Sequence, residues 1–119
     1  MPPWLLALRA SFTFLTRIPV GGFPYPPQTW KWISLWFPFV GLFLGIIGST
    51  LFLLLPESLS YFNRAAIIVG VGILVTGGFH EDGLADTADA LGGAYDKERV
   101  MVILKDSRIG AFGGIALFV

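Results

Sequence analysis

The chemically distinctive part of this sequence is a short run of carboxylates. All but one of the eight acidic residues lie between residues 81 and 106. Asp82, Asp86 and Asp89 are spaced i, i+4 and i+7, so on a helix they fall within about 60° of one another. Three like charges on one stripe destabilise a helix, and Mg²⁺ relieves the repulsion because it takes oxygen ligands. The spacing therefore predicts a magnesium site formed by these three carboxylates.

The alternative is a solvated acidic face on an ordinary helix. The metal hypothesis is favoured because the acidic run directly follows two apolar stretches and because the opposite helix face is apolar. That opposite face carries Leu84, Ala85, Ala88 and Leu91. Glu81 points about 100° away from Asp82 and is the weaker ligand candidate. His80 is open to three roles: metal ligand, proton shuttle or hydrogen-bonded interfacial residue.

Glycines and basic residues follow the acidic run. Gly92 and Gly93 allow either the close backbone approach of a phosphate pocket or tight helix packing. Further along the chain, Lys105 and Arg108 lie beside Asp106. Cationic side chains next to a carboxylate-bound metal favour the binding of a diphosphate, because the charge of a diphosphate must be neutralised from several sides. Positive-inside anchoring of a following membrane helix is the equally weighted alternative for Arg108.

These residues must be positioned by apolar helices. Residues 33–55 carry no formal charge and as a helix would extend about 35 Å, more than a hydrocarbon layer of about 30 Å. They predict a transmembrane helix with Pro38 in its first turn or at a kink. A second span is predicted at 61–79, with Arg64 snorkelling to the interface. A third begins at 109–119, which is too short to cross a bilayer, so we expect a part of a longer polytopic protein.

Residues 1–31 predict an amphipathic helix followed by a loop rich in proline and glycine. The polar face of that helix carries Arg9, Thr13, Thr16 and Arg17. This face suits a helix lying in the membrane interface, and packing against other helices is the equally weighted alternative. The positive-inside rule places the N-terminus and residues 80–108 in the cytoplasm. Asp96 is predicted to cap a helix that runs to about Leu104.

Composition limits the class of protein. Hydrophobic residues make up 55% of the 119-residue chain, charged residues make up 13%, and cysteine is absent. These values exclude a disordered chain, a basic nucleic-acid-binding protein and a disulfide scaffold, and they leave no thiolate nucleophile. Together with the predicted spans, they indicate an all-α, polytopic integral membrane helical bundle. Its single domain covers residues 1–119, with the acidic catalytic segment on the cytoplasmic side.

Three motifs stand out along the chain. They are FLTRIP at residues 14–19, GGFHEDGLADTADALGG at 77–93 and KDSRIGAFG at 105–113. In this order and at these relative positions, they resemble the cobalamin synthase family, the adenosylcobinamide-GDP ribazoletransferases. The long acidic motif is the most specific of the three. The resemblance covers nearly the whole chain and corresponds to the N-terminal part of family members, which continue with several more membrane helices.

This resemblance implies that α-ribazole, or its 5′-phosphate, is joined to adenosylcobinamide-GDP with release of GMP. It also implies Mg²⁺ as cofactor, a multi-pass location in the inner cell membrane and no nucleic-acid partner, with a homo-oligomer or other corrinoid-pathway enzymes as protein partners. The expected metal ligands are Asp82, Asp86 and Asp89. The alternative role for Asp89 is to accept the proton of the attacking hydroxyl. Asp106 is expected to be a second metal ligand or a base. The other expected site residues are His80 for catalysis and Lys105, Ser107, Arg108, Gly92 and Gly93 for substrate.

Three other functions compete with this interpretation. An intramembrane prenyltransferase also uses aspartate-rich helices and Mg²⁺ to ionise a polyprenyl diphosphate, but its Asn-Asp opening is replaced here by His80–Glu81–Asp82. A cation transporter would place its carboxylates in mid-span rather than after a short apolar run. A structural membrane subunit is disfavoured because acids without a function are costly beside a bilayer.

Overall fold

The secondary structure is entirely helical. A computed structural model describes all of residues 1–119 and contains six α-helices and one 3₁₀ helix. The α-helices are α1 (Pro3–Leu15), α2 (Phe37–Leu54), α3 (Tyr61–Thr76), α4 (Phe79–Gly93), α5 (Lys97–Ile103) and α6 (Ala111–Ala116), and the 3₁₀ helix is Pro27–Trp36. The all-α class is therefore confirmed. The chain forms a first unit, Met1–Gly77, and a second unit, Gly78–Val119.

One helix is long and apolar enough by itself to cross a membrane. The 3₁₀ helix runs directly into α2, and together they form an apolar element of 28 residues, Pro27–Leu54. Pro38 stands in the first turn of α2, the part of an α-helix where proline is best tolerated. Of the two roles considered for this proline, the first-turn role is confirmed. Helix α3 has 16 residues and reaches spanning length only when counted with α4, so the polytopic bundle stays a prediction.

In the first unit, α1 packs closely against the 3₁₀ helix. The contact is made by small residues, since Ala7, Ala10 and Ser11 are buried. The Ser11 hydroxyl donates to the carbonyl oxygen of Ala7 at 2.7 Å and can donate instead to that of Ile33 at 2.9 Å. Helix packing, one of the two alternatives for α1, therefore has specific contacts in the structure.

The polar face of α1 holds the loop that follows it. Arg9 donates to the carbonyl oxygen of Val20 at 2.6 Å. The buried Tyr25 donates to the carbonyl oxygen of Gly21 at 2.6 Å, and its hydroxyl lies 2.9 Å from that of Thr13. Polar groups that suggested a membrane-interface helix are thus used to order the loop.

Helices α2 and α3 are joined by a capped turn. Ser60 caps α3 by accepting from the N–H of Asn63 at 3.2 Å. Arg64 is only 8% exposed, donates to the carbonyl oxygen of Leu55 and lies over the ring of Phe52 at 4.8 Å. Arg64 thus bonds to the end of α2, where the last carbonyl groups lack partners within the helix, and its snorkelling to the membrane interface stays a prediction.

The second unit consists of α4 with two short helices packed on it. Helix α4 begins after Gly78, whose φ of 72° is in the left-handed region. Asp96 caps α5 by accepting from the N–H of Arg99 at 2.8 Å, so the predicted cap and helix are confirmed. Both α5 and α6 contact α4. The unit thus brings the acidic helix together with the segment that contains the basic residues.

Candidate functional site

The three carboxylates of the predicted stripe have different environments on α4. Asp82 is exposed, Asp86 is half-buried and Asp89 is only 8% exposed. Neither Asp82 nor Asp86 forms an ion pair or a side-chain hydrogen bond. No group of three or more His, Cys, Asp or Glu side chains lies close enough together to hold a metal ion. The stripe therefore separates into two open carboxylates and one enclosed carboxylate.

Asp89 is engaged by the beginning of α6. One of its carboxylate oxygens accepts a hydrogen bond from the N–H of Gly110 at 2.6 Å, and the other accepts one from the N–H of Gly113 at 2.8 Å. Gly110 is the residue that precedes α6 and has no side chain to cap that helix. Asp89 therefore performs the capping role from a neighbouring helix, satisfying N–H groups that have no partner within α6.

Glycine is required where α4 and α6 approach each other. A Cβ atom at Gly110 or at Gly113 would overlap the Asp89 carboxylate, and one at Gly113 would also approach the carbonyl oxygen of Ala85. A Cβ atom at Gly92 would overlap the ring of Phe112. Of the two roles considered for Gly92, the structure therefore shows helix packing.

Asp106 and Arg108 form a bidentate ion pair. Arg108 Nε lies 3.0 Å and Nη2 lies 2.7 Å from the two oxygens of Asp106, and the N–H of Arg108 donates at 3.1 Å. The side chain of Asp106 is 38% exposed and that of Arg108 is 86% exposed. Hydrogen bonds from the Arg108 side chain, reinforced by its backbone N–H, lower the pKa of Asp106, and the same pair raises the pKa of Arg108. Both groups are therefore charged at neutral pH.

A cavity of about 480 Å³ in the second unit is lined by several predicted site residues. Its lining includes Asp89, Gly93, Asp106, Arg108 and Gly110. Apolar residues from α5, α6 and their connection complete the wall. Four of these residues were expected at the site from the sequence alone. The cavity thus combines two carboxylates, a guanidinium and a glycine backbone, and among these groups the guanidinium is the one suited to bind a phosphate.

The other predicted site residues lie outside this lining. Asp82 and Asp86 are on α4 without contacting the cavity, and the ring of His80 is exposed, 5.4 Å from that of Phe79. Lys105 and Ser107 are exposed on the connection between α5 and α6. The structure therefore does not bring all the predicted groups together.

The carboxylates present are chemically suited to Mg²⁺ even without a three-residue cluster. Mg²⁺ is commonly held by one or two carboxylates, with water and substrate phosphates as its remaining ligands. Asp82 and Asp86 lie one helical turn apart and have no other partner. Asp89 retains acceptor capacity, because a carboxylate offers about four lone-pair positions and two N–H groups occupy only part of them.

Sequence reasoning did not identify the N–H groups of Gly110 and Gly113 as functional. The available signal was their spacing of three residues, which matches the N-cap and N3 positions of a helix. Glu81, treated as a weak candidate, has one carboxylate oxygen that is buried without a hydrogen-bond partner. Neither feature is visible from charge spacing alone.

Comparisons with known proteins agree with the motif resemblance. A family model described as cobalamin-5-phosphate synthase matches residues 7–119. The adenosylcobinamide-GDP ribazoletransferase of Polaromonas naphthalenivorans (strain CJ2) is 44% identical, covering 96% of this chain and 43% of its own length. The protein of the same name from Leptospira interrogans is 46% identical, covering 91% and 41%. No solved structure matches. The chain spans less than half the length of the curated relatives it matches.

Proposed function

The chain belongs to the cobalamin-5-phosphate synthase family, and from this premise we propose that it forms the diphosphate-binding part of an adenosylcobinamide-GDP ribazoletransferase. Its substrates are adenosylcobinamide-GDP and α-ribazole or α-ribazole 5′-phosphate. The products are GMP and adenosylcobalamin or its phosphate. The observation that carries this proposal is the cavity in which Asp89, Asp106 and Arg108 meet, within the part of the chain that matches the family.

The proposed reaction is a phosphoryl transfer without a covalent enzyme intermediate. A hydroxyl oxygen of α-ribazole forms a bond to the phosphorus on the cobinamide side of the diphosphate. The anhydride P–O bond breaks, and GMP leaves with the bridging oxygen. The proton of the attacking hydroxyl passes to a carboxylate. Such a reaction requires mainly positioning and charge neutralisation, which the charged lining of the cavity is suited to provide.

Arg108 is the proposed phosphate-binding cation. Its guanidinium lines the cavity, is largely exposed and can form two parallel hydrogen bonds to a phosphate. Lys105 and Ser107 lie on the same connection and are proposed to contact the outer phosphate oxygens. Asp106 is proposed as a second metal ligand or as the proton acceptor, because it lines the cavity and is more exposed than Asp89. His80 is retained as a candidate proton shuttle.

Asp82 and Asp86 are the proposed ligands of Mg²⁺, on the basis of their oxygen chemistry and their lack of other partners. When bound, Mg²⁺ neutralises charge on the diphosphate. The protein contributes a helix that presents the two carboxylates one turn apart. This proposal places the metal at Asp82 and Asp86, the two carboxylates of the stripe that have no partner within the protein.

The proposed location is the inner cell membrane, with several spans and with the acidic segment facing the cytoplasm. The apolar element Pro27–Leu54 supports membrane insertion. The orientation rests on the basic residues near the predicted spans, of which Arg9, Arg17 and Lys31 precede the first. A lipid bilayer is thus the proposed environment, and a homo-oligomer or corrinoid-pathway enzymes are the proposed protein partners.

GMP release by the complete protein in liposomes tests the function directly. We expect release that requires both α-ribazole and Mg²⁺. Asp86→Asn should lower turnover by more than about tenfold because it removes a ligand charge. Glu98→Gln is the matched control, since it removes an exposed acid of the same unit that lies on α5 and outside the cavity. Absence of ribazole-dependent release, or turnover of a polyprenyl diphosphate instead, would overturn the proposal.

A further inference from the structure

Asp89 is held differently from every other carboxylate in the chain. It is the only buried acidic residue, and each of its oxygens accepts a hydrogen bond from a different N–H group of the α6 N-terminus. Both bonds join residues more than twenty positions apart in the sequence. They therefore fix the packing of α6 on α4 rather than stabilising either helix locally.

We propose that Asp89 is a positioning residue, which clamps α6 to α4 and thereby orders the connection that carries Asp106 and Arg108. This role deepens the proposed function, on which it rests for the identity of that connection as the phosphate-binding element. In this role, Asp89 binds the N–H groups of Gly110 and Gly113. It neither coordinates Mg²⁺ nor accepts the proton of the attacking hydroxyl. Asp82 and Asp86 then remain as the metal-binding pair.

The connection between α5 and α6 is anchored at both of its ends. At the first end, the N–H of Asp106 donates to the carbonyl oxygen of Ile103 at 2.9 Å. At the second end, the N–H of Gly110 donates to Asp89. Arg108 lies between these anchors, two residues before Gly110, and its side chain reaches the cavity. Loss of the second anchor would release the backbone of Arg108 while leaving the proposed phosphate-binding side chains of Arg108, Lys105 and Ser107 in place.

The geometry at Asp89 requires a side chain with two oxygens that can each accept a hydrogen bond. Asparagine has nearly the same shape, but its NH₂ group would face one of the two N–H donors and could not accept from it. The glycines are the complementary requirement, because a Cβ atom at Gly113 would overlap the Asp89 carboxylate. A change on either side should therefore break the same contact.

The experiment compares Asp89→Asn with Gly113→Ala in the complete protein. Gly114→Ala is the matched control, because a Cβ atom at this adjacent glycine meets nothing within 4 Å. Amide hydrogen exchange at Gly110 and Gly113 reports the clamp without requiring activity. The N–H of Arg99, which is held by Asp96, serves as an internal reference for folding of the same unit.

We expect exchange at Gly113 to become about tenfold to a hundredfold faster in Asp89→Asn, with Arg99 unchanged. Both test variants should lower kcat about tenfold or more while changing the Mg²⁺ concentration for half-maximal activity less than about twofold. The double variant should be little worse than either single variant, because both disrupt one contact. Gly114→Ala should behave as the parent protein.

Two results would overturn the positioning role. One is unchanged exchange at Gly110 and Gly113 in Asp89→Asn. The other is a large rise in the half-saturating Mg²⁺ concentration in Asp89→Asn but not in Gly113→Ala, which would identify Asp89 as a metal ligand. Failure of the proposed function is distinguishable, because it abolishes ribazole-dependent GMP release in the parent protein while leaving the exchange result intact.

Discussion

The charged side chains that bond to the backbone have opposite signs in the two units. In the first unit, Arg9 and Arg64 donate to carbonyl oxygens of a loop and of a helix end. In the second unit, Asp89 and Asp96 accept from N–H groups at helix beginnings. At the helix ends, the sign follows from the groups left open, since helix C-termini expose carbonyl oxygens and N-termini expose N–H groups.

This difference separates structural charges from charges available for chemistry. In a chain with only 13% charged residues, those that cover backbone groups near helix ends are committed to the fold. The second unit has additional charges beyond that requirement, among them Asp82, Asp86 and Lys105, which have no hydrogen-bond partner. The side chains of Asp82 and Asp86 are therefore free to bind a ligand, whereas the charged groups that line the cavity are already hydrogen-bonded within the protein.

The largest effect expected outside the site concerns Arg64 in the first unit. Arg64→Met should lower the free energy of unfolding by about 2 kcal/mol, because it removes a hydrogen bond to Leu55 and a cation–π contact with Phe52. Thermal unfolding in detergent would measure the loss. Lys31→Met, which alters an exposed cation of the same unit, is the control. An equal loss in both variants would show that Arg64 has no special role at the end of α2.

A smaller effect is expected from a change at Asp96, the hydrogen-bond acceptor that caps α5 in the second unit. Asp96→Ala should lower the stability of α5 by about 1 kcal/mol, because the N–H of Arg99 loses its cap. Hydrogen exchange across α5 would detect this change. Glu98→Ala, an exposed first-turn acid without a capping bond, should have a smaller effect. If the two variants matched, helix-end charge rather than capping would explain the contribution of Asp96.

The smallest effect concerns the exposed pair of Asp106 and Arg108. The pKa of Asp106 is lowered in the folded protein, so the pair stabilises the fold fully above the ordinary carboxyl pKa of about 4. Its contribution is lost as the pH falls through the lowered pKa of Asp106. A carboxyl-carbon NMR titration should show this pKa rising towards the ordinary value in Arg108→Gln. An unchanged titration would contradict the pairing.

The sequence predicted the parts of the site that depend on local pattern. The acidic helix and the cap at Asp96 were anticipated from spacing and residue type, and the cavity residues Gly93, Asp106 and Arg108 were expected with the help of the motif resemblance. The hydrogen bond from Arg64 to Leu55 was not anticipated, because the sequence does not show which carbonyl group lies near the guanidinium. A local sequence pattern identifies the side chain that forms a bond but not the group to which it bonds.

The sequence by itself determined the all-helical class, the long apolar helix and the position of its proline, since these follow from propensity, hydropathy and the missing N–H of proline. Only the tertiary structure decided which carboxylate of the stripe is enclosed. The spacing places Asp82, Asp86 and Asp89 on one face, but it does not show which of them is buried. Asp89 differs because α6, which begins more than twenty residues later, directs two N–H groups at it.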